Sequence, residues 1–270
     1  MGDTEIPGNF GIKRDQLKTN LGSWTIPEWI LFFVIVPGVL LIINFLPQGI
    51  RDSYFILNTG EIWKLQTWFL NSYTHSEIYP HLVSNMVVYF FALLAIFSFE
   101  NDKRRFRVMA GSSFLLVPII SSLLTIGLFH LLGFQVRSQG FSAIVAALLA
   151  YMFISIILWI LGDTLSDFDH PENSRSLFLF YLMCGMLTFI LALIVVEGLN
   201  LGLFMKVGDS TNNGIAHFGG FITSLIVFLI YDVRTKQRKY FHMTLGIAIV
   251  MGIVWYGNYL YALVTSGKGA

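Results

Sequence analysis

The sequence predicts an all-α, polytopic membrane helix bundle with seven transmembrane helices. Three observations carry that prediction. Hydrophobic residues make up 55% of the 270 and charged residues only 12%, where a soluble domain carries about 25%. Mean hydropathy is +0.69. Apolar runs of the length a bilayer core demands, about 20 residues as a helix, recur near 27–46, 80–99, 108–132, 140–161, 177–201, 213–231 and 241–264.

The polar N-terminal stretch 1–26 reads as a cytoplasmic tail. Residues 1–20 show no signal-peptide pattern of basic, apolar and small-residue regions. MGDTEI begins like a myristoylation signal, but Ile6 stands where Ser or Thr is required. The first run contains Pro37 and the third Pro118, which membrane helices tolerate when neighbours satisfy the freed carbonyls. Segment 47–79, between the first and second runs, is long and carries Trp63, Trp68, Tyr54, Phe55, Phe69, Tyr73 and Tyr79. Aromatics at that density suit the headgroup layer, so it is expected to lie in the outer leaflet. The fifth run is rich in Phe, Leu and Met with few small residues and is expected to pack loosely on the core; Phe178, Phe180 and Phe189 lie on it. The sixth run is interrupted by small and polar residues and is the least hydrophobic. The chain reads as one membrane domain, with a six-helix core at 27–231. Residues 232–270 add an inner loop, the seventh helix and a short outer tail.

Lys and Arg set the orientation. With the N-terminus inside, twelve of the 17 fall in inner segments, including Lys103, Arg104, Arg105 and Arg107. The expectation is therefore N-terminus in the cytoplasm and C-terminus outside, in a plasma membrane. The loop 162–175 is inner yet acidic, and acidic residues contribute little to the rule. A formal net charge of +1 argues against nucleic acid as a partner. Cys184 is the only cysteine, so no disulfide forms within the chain.

Polar side chains inside spans are expensive and tend to face a bundle interior or a wet cavity. The second run opens HLVSN, with His81 and Asn85. The fourth opens GFSA, with Ser142. The sixth opens NNGIAHFGG, with His217. All three runs go from outside to inside, so at ~1.5 Å per residue these groups lie at similar depth below the outer surface. His81 and Asn85, at i and i+4, share a helix face. Ser142, Ala146 and Ala150 repeat at four, as do Ala216, Gly220 and Ser224. Small-xxx-small faces let membrane helices approach closely, which brings the serine helix against the histidine helix.

A serine hydroxyl needs a base to become a nucleophile, and a neutral imidazole is the usual one. Desolvation disfavours the imidazolium, which keeps a buried His217 receptive. His81, Asn85 and the Ser142 backbone N–H are candidate donors to an oxyanion. No Asp or Glu stands near enough in sequence to argue a third member, so the economical reading is a Ser142–His217 dyad. Each feature has an ordinary alternative. A membrane serine commonly bonds back to its own helix, and histidine or asparagine can simply glue helices together.

The motifs HLVSN, GFSA and AHFGG, in that order on the second, fourth and sixth runs, resemble the signatures of rhomboid intramembrane serine proteases. EIWK at 61–64 is similar to the Trp-Arg patch of that family's first loop. The resemblance covers roughly 27–231, with the seventh helix appended to the rhomboid-like core. It implies Ser142 as nucleophile and His217 as general base. It places His81 and Asn85 at the oxyanion site, Gly140 at the serine turn and Gly220 at the contact between the fourth and sixth helices. It implies membrane-anchored protein substrates cut near the outer face of the bilayer, without metal or nucleotide, and, together with the loose packing of the fifth run, a mobile gate there at Phe178, Phe180 and Phe189. The sequence departs from the family pattern at Ala143 (glycine in the family), Lys64 (arginine) and Ser224 (a smaller residue). The stretch NSYTHSEIYP before His81 does not align, and His75 receives no role from it. Two other readings stand beside the protease: a non-catalytic rhomboid-like protein that binds transmembrane helices, and a transporter with the polar plane as its site.

Overall fold

The computed structural model describes residues 10–75, 78–131, 133, 135–165, 182–186, 188, 214–235, 240, 241, 243–250, 252 and 253. Four helices are long and apolar enough to cross a membrane. They are α2 (Ile26–Asn44), α6 (Lys103–Leu131), α7 (Ser142–Leu165, of which Ser142–Trp159 is the apolar part) and α8 (Gly214–Arg234). The second run forms a shorter apolar helix, α5 (Val83–Phe99), entered through a π-turn at Ile78–Leu82. The tail contains α1 (Phe10–Ser23). Segment 47–79 folds into α3 (Gln48–Tyr54), a two-residue strand β1 (Leu57–Asn58) and α4 (Leu65–Leu70). Of the fifth and seventh runs, 182–186 and 243–250 are helical. A methyl on Gly185 would collide with Val250, so the two runs touch there. Phe178, Phe180 and Phe189, and with them the proposed gate, lie outside the described residues.

α7 is the centre of the bundle. Every side chain from Ala143 to Ile154 is at most 1% exposed, the signature of a helix apolar on all sides and surrounded on all sides. α8 packs against both α6 and α7, and α5 packs against α7. α2 sits at the periphery; Ile26, Val34 and Ile42 on it and Phe45 just past its end are largely exposed, an outward apolar face suited to lipid.

Both prolines are answered by tyrosines. α2 contains a π-turn at Leu31–Ile35, whose i→i+5 pattern directs Phe32's carbonyl toward Pro37, which has no N–H. The Tyr89 hydroxyl donates to that carbonyl at 2.8 Å. In α6, Pro118 frees the carbonyl of Phe114 four residues back, and the Tyr73 hydroxyl donates to it. Tyr89 is fully buried, so Tyr89→Phe leaves the Phe32 carbonyl without its donor. The expected loss is about 1–3 kcal/mol, read as a lower midpoint of thermal unfolding in detergent.

At the end of the bundle opposite the helix starts of α7 and α8, buried charges are paired. Glu100 ends α5 and accepts from Arg105 Nε (2.8 Å) and Nη2 (2.5 Å), and from the Tyr151 hydroxyl of α7 (2.6 Å). Asp102 accepts from the backbone N–H groups of Arg104 and Arg105 and from the Tyr231 hydroxyl of α8. Late carbonyls of α5, which lack helical partners, are met by Trp24 Nε1 on Phe97 (2.7 Å) and Asn20 Nδ2 on Ser98 (3.2 Å).

Candidate active site

Ser142 is the first residue of α7, and the Val145 N–H bonding back to the Phe141 carbonyl closes the first turn. The opening N–H groups of a helix have no partner within it, and they aim partial positive charge at the Ser142 side of the site. His217 lies in the first turn of α8, is 4% exposed, and places Nε2 2.6 Å from Ser142 Oγ. Ser112, Ser113, Ser121 and Ser155 of the long helices each donate to a carbonyl three or four residues back in their own helix, and Ser122 reaches the Trp68 carbonyl. Ser142 instead bonds an imidazole 75 residues away.

Gly220 sets that distance. A methyl on it would run into the carbonyl of Ala143, with Ala143 Cα at 3.3 Å. The two helices thus touch backbone to backbone one residue after the serine and three after the histidine. The extra methyl of Ala143 is buried without displacing the contact. One turn on, the Ser224 hydroxyl is buried with no hydrogen-bond partner among the described residues.

Gly140 sits two residues before the serine with φ +153°, a conformation costly for any other residue. A methyl there would lie 3.3 Å from Ser142 Oγ and 3.6 Å from His75 Nε2. The hydroxyl and the imidazole therefore flank one small volume beside the Gly140 α-carbon. The turn is held from segment 47–79. β1 pairs antiparallel with β2 (Arg137–Ser138), Leu57 opposite Ser138, and the Gly140 N–H donates to the Asn71 carbonyl at 2.9 Å. Asn71 in turn donates to Ser122 Oγ of α6 at 2.7 Å. The segment thus clamps the serine turn. Its EIWK stretch stays peripheral, with Trp63 exposed and Lys64 paired to Glu61 at 2.5 Å.

Asn85 is buried in the first turn of α5, and its Nδ2 lies 2.7 Å from His75 Nε2. His81, half-buried in the π-turn, stacks on His75 with ring centroids 6.0 Å apart and 7° between planes. His75 is thus the site residue that sequence reasoning missed. The structure places it between Asn85 and the serine turn. Its signal in the sequence was only a histidine in a polar stretch just before the second run. Among the described residues no group of His, Cys, Asp and Glu has the spacing to hold a metal ion.

Burial holds the His75 pKa down to about 4, with further contributions from His81 and His217. Between about pH 6.5 and 4 the unfolded chain takes up a proton that the folded chain refuses, so stability falls as pH falls through that window. The expected cost reaches about 3 kcal/mol by pH 4. The fall in unfolding midpoint from pH 7 to pH 4.5 is expected to be smaller in His75→Gln than in the wild type. An equal fall in both would assign the acid sensitivity to other groups.

Comparison with protein-family models, with curated proteins and with solved structures finds no match.

Proposed function

We propose that the protein is an intramembrane serine endopeptidase of the rhomboid type. The observation that carries the reading is the 2.6 Å contact between Ser142 Oγ and His217 Nε2, at the convergent N-terminal ends of apolar helices. His217 accepts the hydroxyl proton as Ser142 Oγ attacks the scissile carbonyl. The resulting oxyanion is stabilised by the Ser142 backbone N–H, the α7 N-terminus and Asn85. The tetrahedral intermediate collapses as His217 passes its proton to the leaving amine. Water, deprotonated by His217, then releases the acyl group from Ser142.

Hydrolysis needs water at the serine. A polar cleft of about 260 Å³ lined by Gln48, Arg51, Asp52, Ile56, Arg137 and Gln139 ends one residue from Gly140 and supports such access. Substrates are membrane-anchored proteins entering from the lipid, cut near the outer face. The bilayer is the other partner. The full proposed topology is seven spans in a plasma membrane, N-terminus inside and C-terminus outside, with no metal or nucleotide in the reaction.

The test is cleavage of a model transmembrane substrate by purified protein in detergent, beside Ser142→Ala and His217→Ala. Wild type is expected to cleave and to be labelled on Ser142 by a fluorophosphonate, and both variants to lose activity by at least ~10³-fold. Cleavage that survives Ser142→Ala would refute Ser142 as the nucleophile. Absence of both cleavage and labelling in the wild type would favour a non-catalytic helix binder.

A further inference from the structure

His75 comes from outside the helices that carry the dyad, yet its ring enters the site. We propose that His75 is a positioning residue for the oxyanion site, holding the Asn85 carboxamide so that its second N–H is presented to the attacked carbonyl. The inference rests on the endopeptidase reading.

Four observations carry it. First, the amide nitrogen of asparagine only donates. At 2.7 Å from Asn85 Nδ2, His75 Nε2 must therefore accept, which makes the ring neutral with its proton on Nδ1. One Asn85 N–H is used in that bond and the other remains. Without a partner, the carboxamide could turn its oxygen toward the site and repel the developing anion. Second, His75 Nε2 borders the small volume beside Gly140 that Ser142 Oγ borders from the other side. The pair thus adjoins the place where the carbonyl must sit.

Third, His75 is itself held firmly. Its backbone N–H donates to Asn44 Oδ1 at 2.7 Å, and Asn44 is 4% exposed and tied to Leu40's carbonyl. Its carbonyl accepts from Arg51 Nη1 at 3.3 Å, and the His81 ring stacks on its face. Fourth, His75 is 8% exposed, and its Nδ1 is buried with no hydrogen-bond partner among the described residues. A buried donor left so is unfavourable, and an apolar ring would fill the volume without that penalty. Packing alone does not call for histidine here. Among the described residues, the titratable and charged groups facing it are Arg51 from α3, His81 from the π-turn and His217 from α8. None is a carboxylate that would draw a proton onto the ring.

The experiment compares His75→Phe, His75→Gln, Asn85→Ala and the double variant His75→Phe with Asn85→Ala. It reads kcat and KM on a model transmembrane substrate and Ser142 labelling by a fluorophosphonate. His75→Phe keeps the volume and loses the acceptor, so kcat is expected to fall about 10²-fold with KM unchanged. His75→Gln, whose Oε1 accepts from Asn85, is expected to recover most of that loss. In the Asn85→Ala background His75→Phe is expected to add little. Equal losses with and without Asn85, a His75→Gln as poor as His75→Phe, or full activity in His75→Phe would each overturn the positioning role. The protease reading would survive all three, because the wild type still cleaves and labels. A wild type that neither cleaves nor labels overturns both. If His75→Phe does not fold, His75→Leu makes the same comparison. In the wild type at pH 7, ¹⁵N NMR of labelled histidine is expected to show the Nδ1–H tautomer at His75; the Nε2–H tautomer would overturn the proposal.

Discussion

Gly220→Val is expected to abolish both substrate cleavage and fluorophosphonate labelling of Ser142. The first atom added to Gly220 meets the carbonyl, carbonyl carbon and Cα of Ala143. All three are backbone atoms of the most buried helix in the bundle, and none can swing aside as the end of a side chain does. α7 and α8 must therefore separate, or the side chain must force its neighbours off their rotamers, at about 1–3 kcal/mol. Activity is the more sensitive quantity, because Ser142 and His217 flank this contact and their 2.6 Å hydrogen bond lengthens with the helix separation. A misplacement of about 1 Å costs on the order of 10²-fold, and valine exceeds that. Gly220→Ala is expected to lie between. The neighbour Gly219 supplies the control. A methyl there meets first the Leu124 Cδ1 tip, at 2.8 Å, which can turn away. Gly219→Ala is therefore expected to keep its activity within a few-fold. Equal effects at the two glycines would show that the α7–α8 contact does not set the dyad distance.

Glu100→Ala is expected to destabilise the fold by about 3–5 kcal/mol, the largest loss of stability among the changes considered. Glu100 is 1% exposed and Arg105 6%. The two form a paired hydrogen bond with Tyr151 as third member. Removing the carboxylate takes the directly bonded counter-charge from a guanidinium buried beside the Phe228 ring, leaving only the longer-range attraction of Asp102, and leaves the Tyr151 hydroxyl without its acceptor. Replacing the group as a whole has a different consequence. With Glu100→Leu, Arg105→Leu and Tyr151→Phe together, no charge or donor is stranded, and most of the lost stability is expected to return. Thermal unfolding in detergent of the single and triple variants measures both. A triple variant as unstable as Glu100→Ala would mean that the ion pair holds α5 and α7 in register, beyond satisfying its own charges.

How much of this was legible in the residues differs from feature to feature. Four of the apolar runs are long helices in the structure and a fifth is a shorter one, because apolar length is a local property that a bilayer reads directly. The close approach of α7 and α8 at Gly220 was foreshadowed by small residues every fourth position. The start of the third run was not: α6 begins at Lys103 rather than near 108, since Asp102 caps it and Glu100 shelters Arg105. Segment 47–79 was readable only as aromatic and interfacial. Its function as a clamp on the serine turn depends on β1 finding β2 and Asn71 finding Gly140 across stretches of chain that share no pattern.

By itself the sequence determined that this chain is a helical membrane protein. It also placed Ser142, His217 and Asn85 as polar groups near the starts of three apolar runs. Spacing along a helix and burial in an apolar run are set by neighbours three and four residues away, so they can be read from residue order. Only the tertiary structure decided that Ser142 Oγ bonds His217, that Asn85 pairs with His75, and that Tyr89 and Tyr73 meet the carbonyls freed near Pro37 and Pro118. A hydrogen bond constrains distance and angle to a few tenths of an ångström between groups that lie 10 to 75 residues apart in the chain. No local preference encodes that geometry; it emerges when the helices pack and every buried donor must find an acceptor.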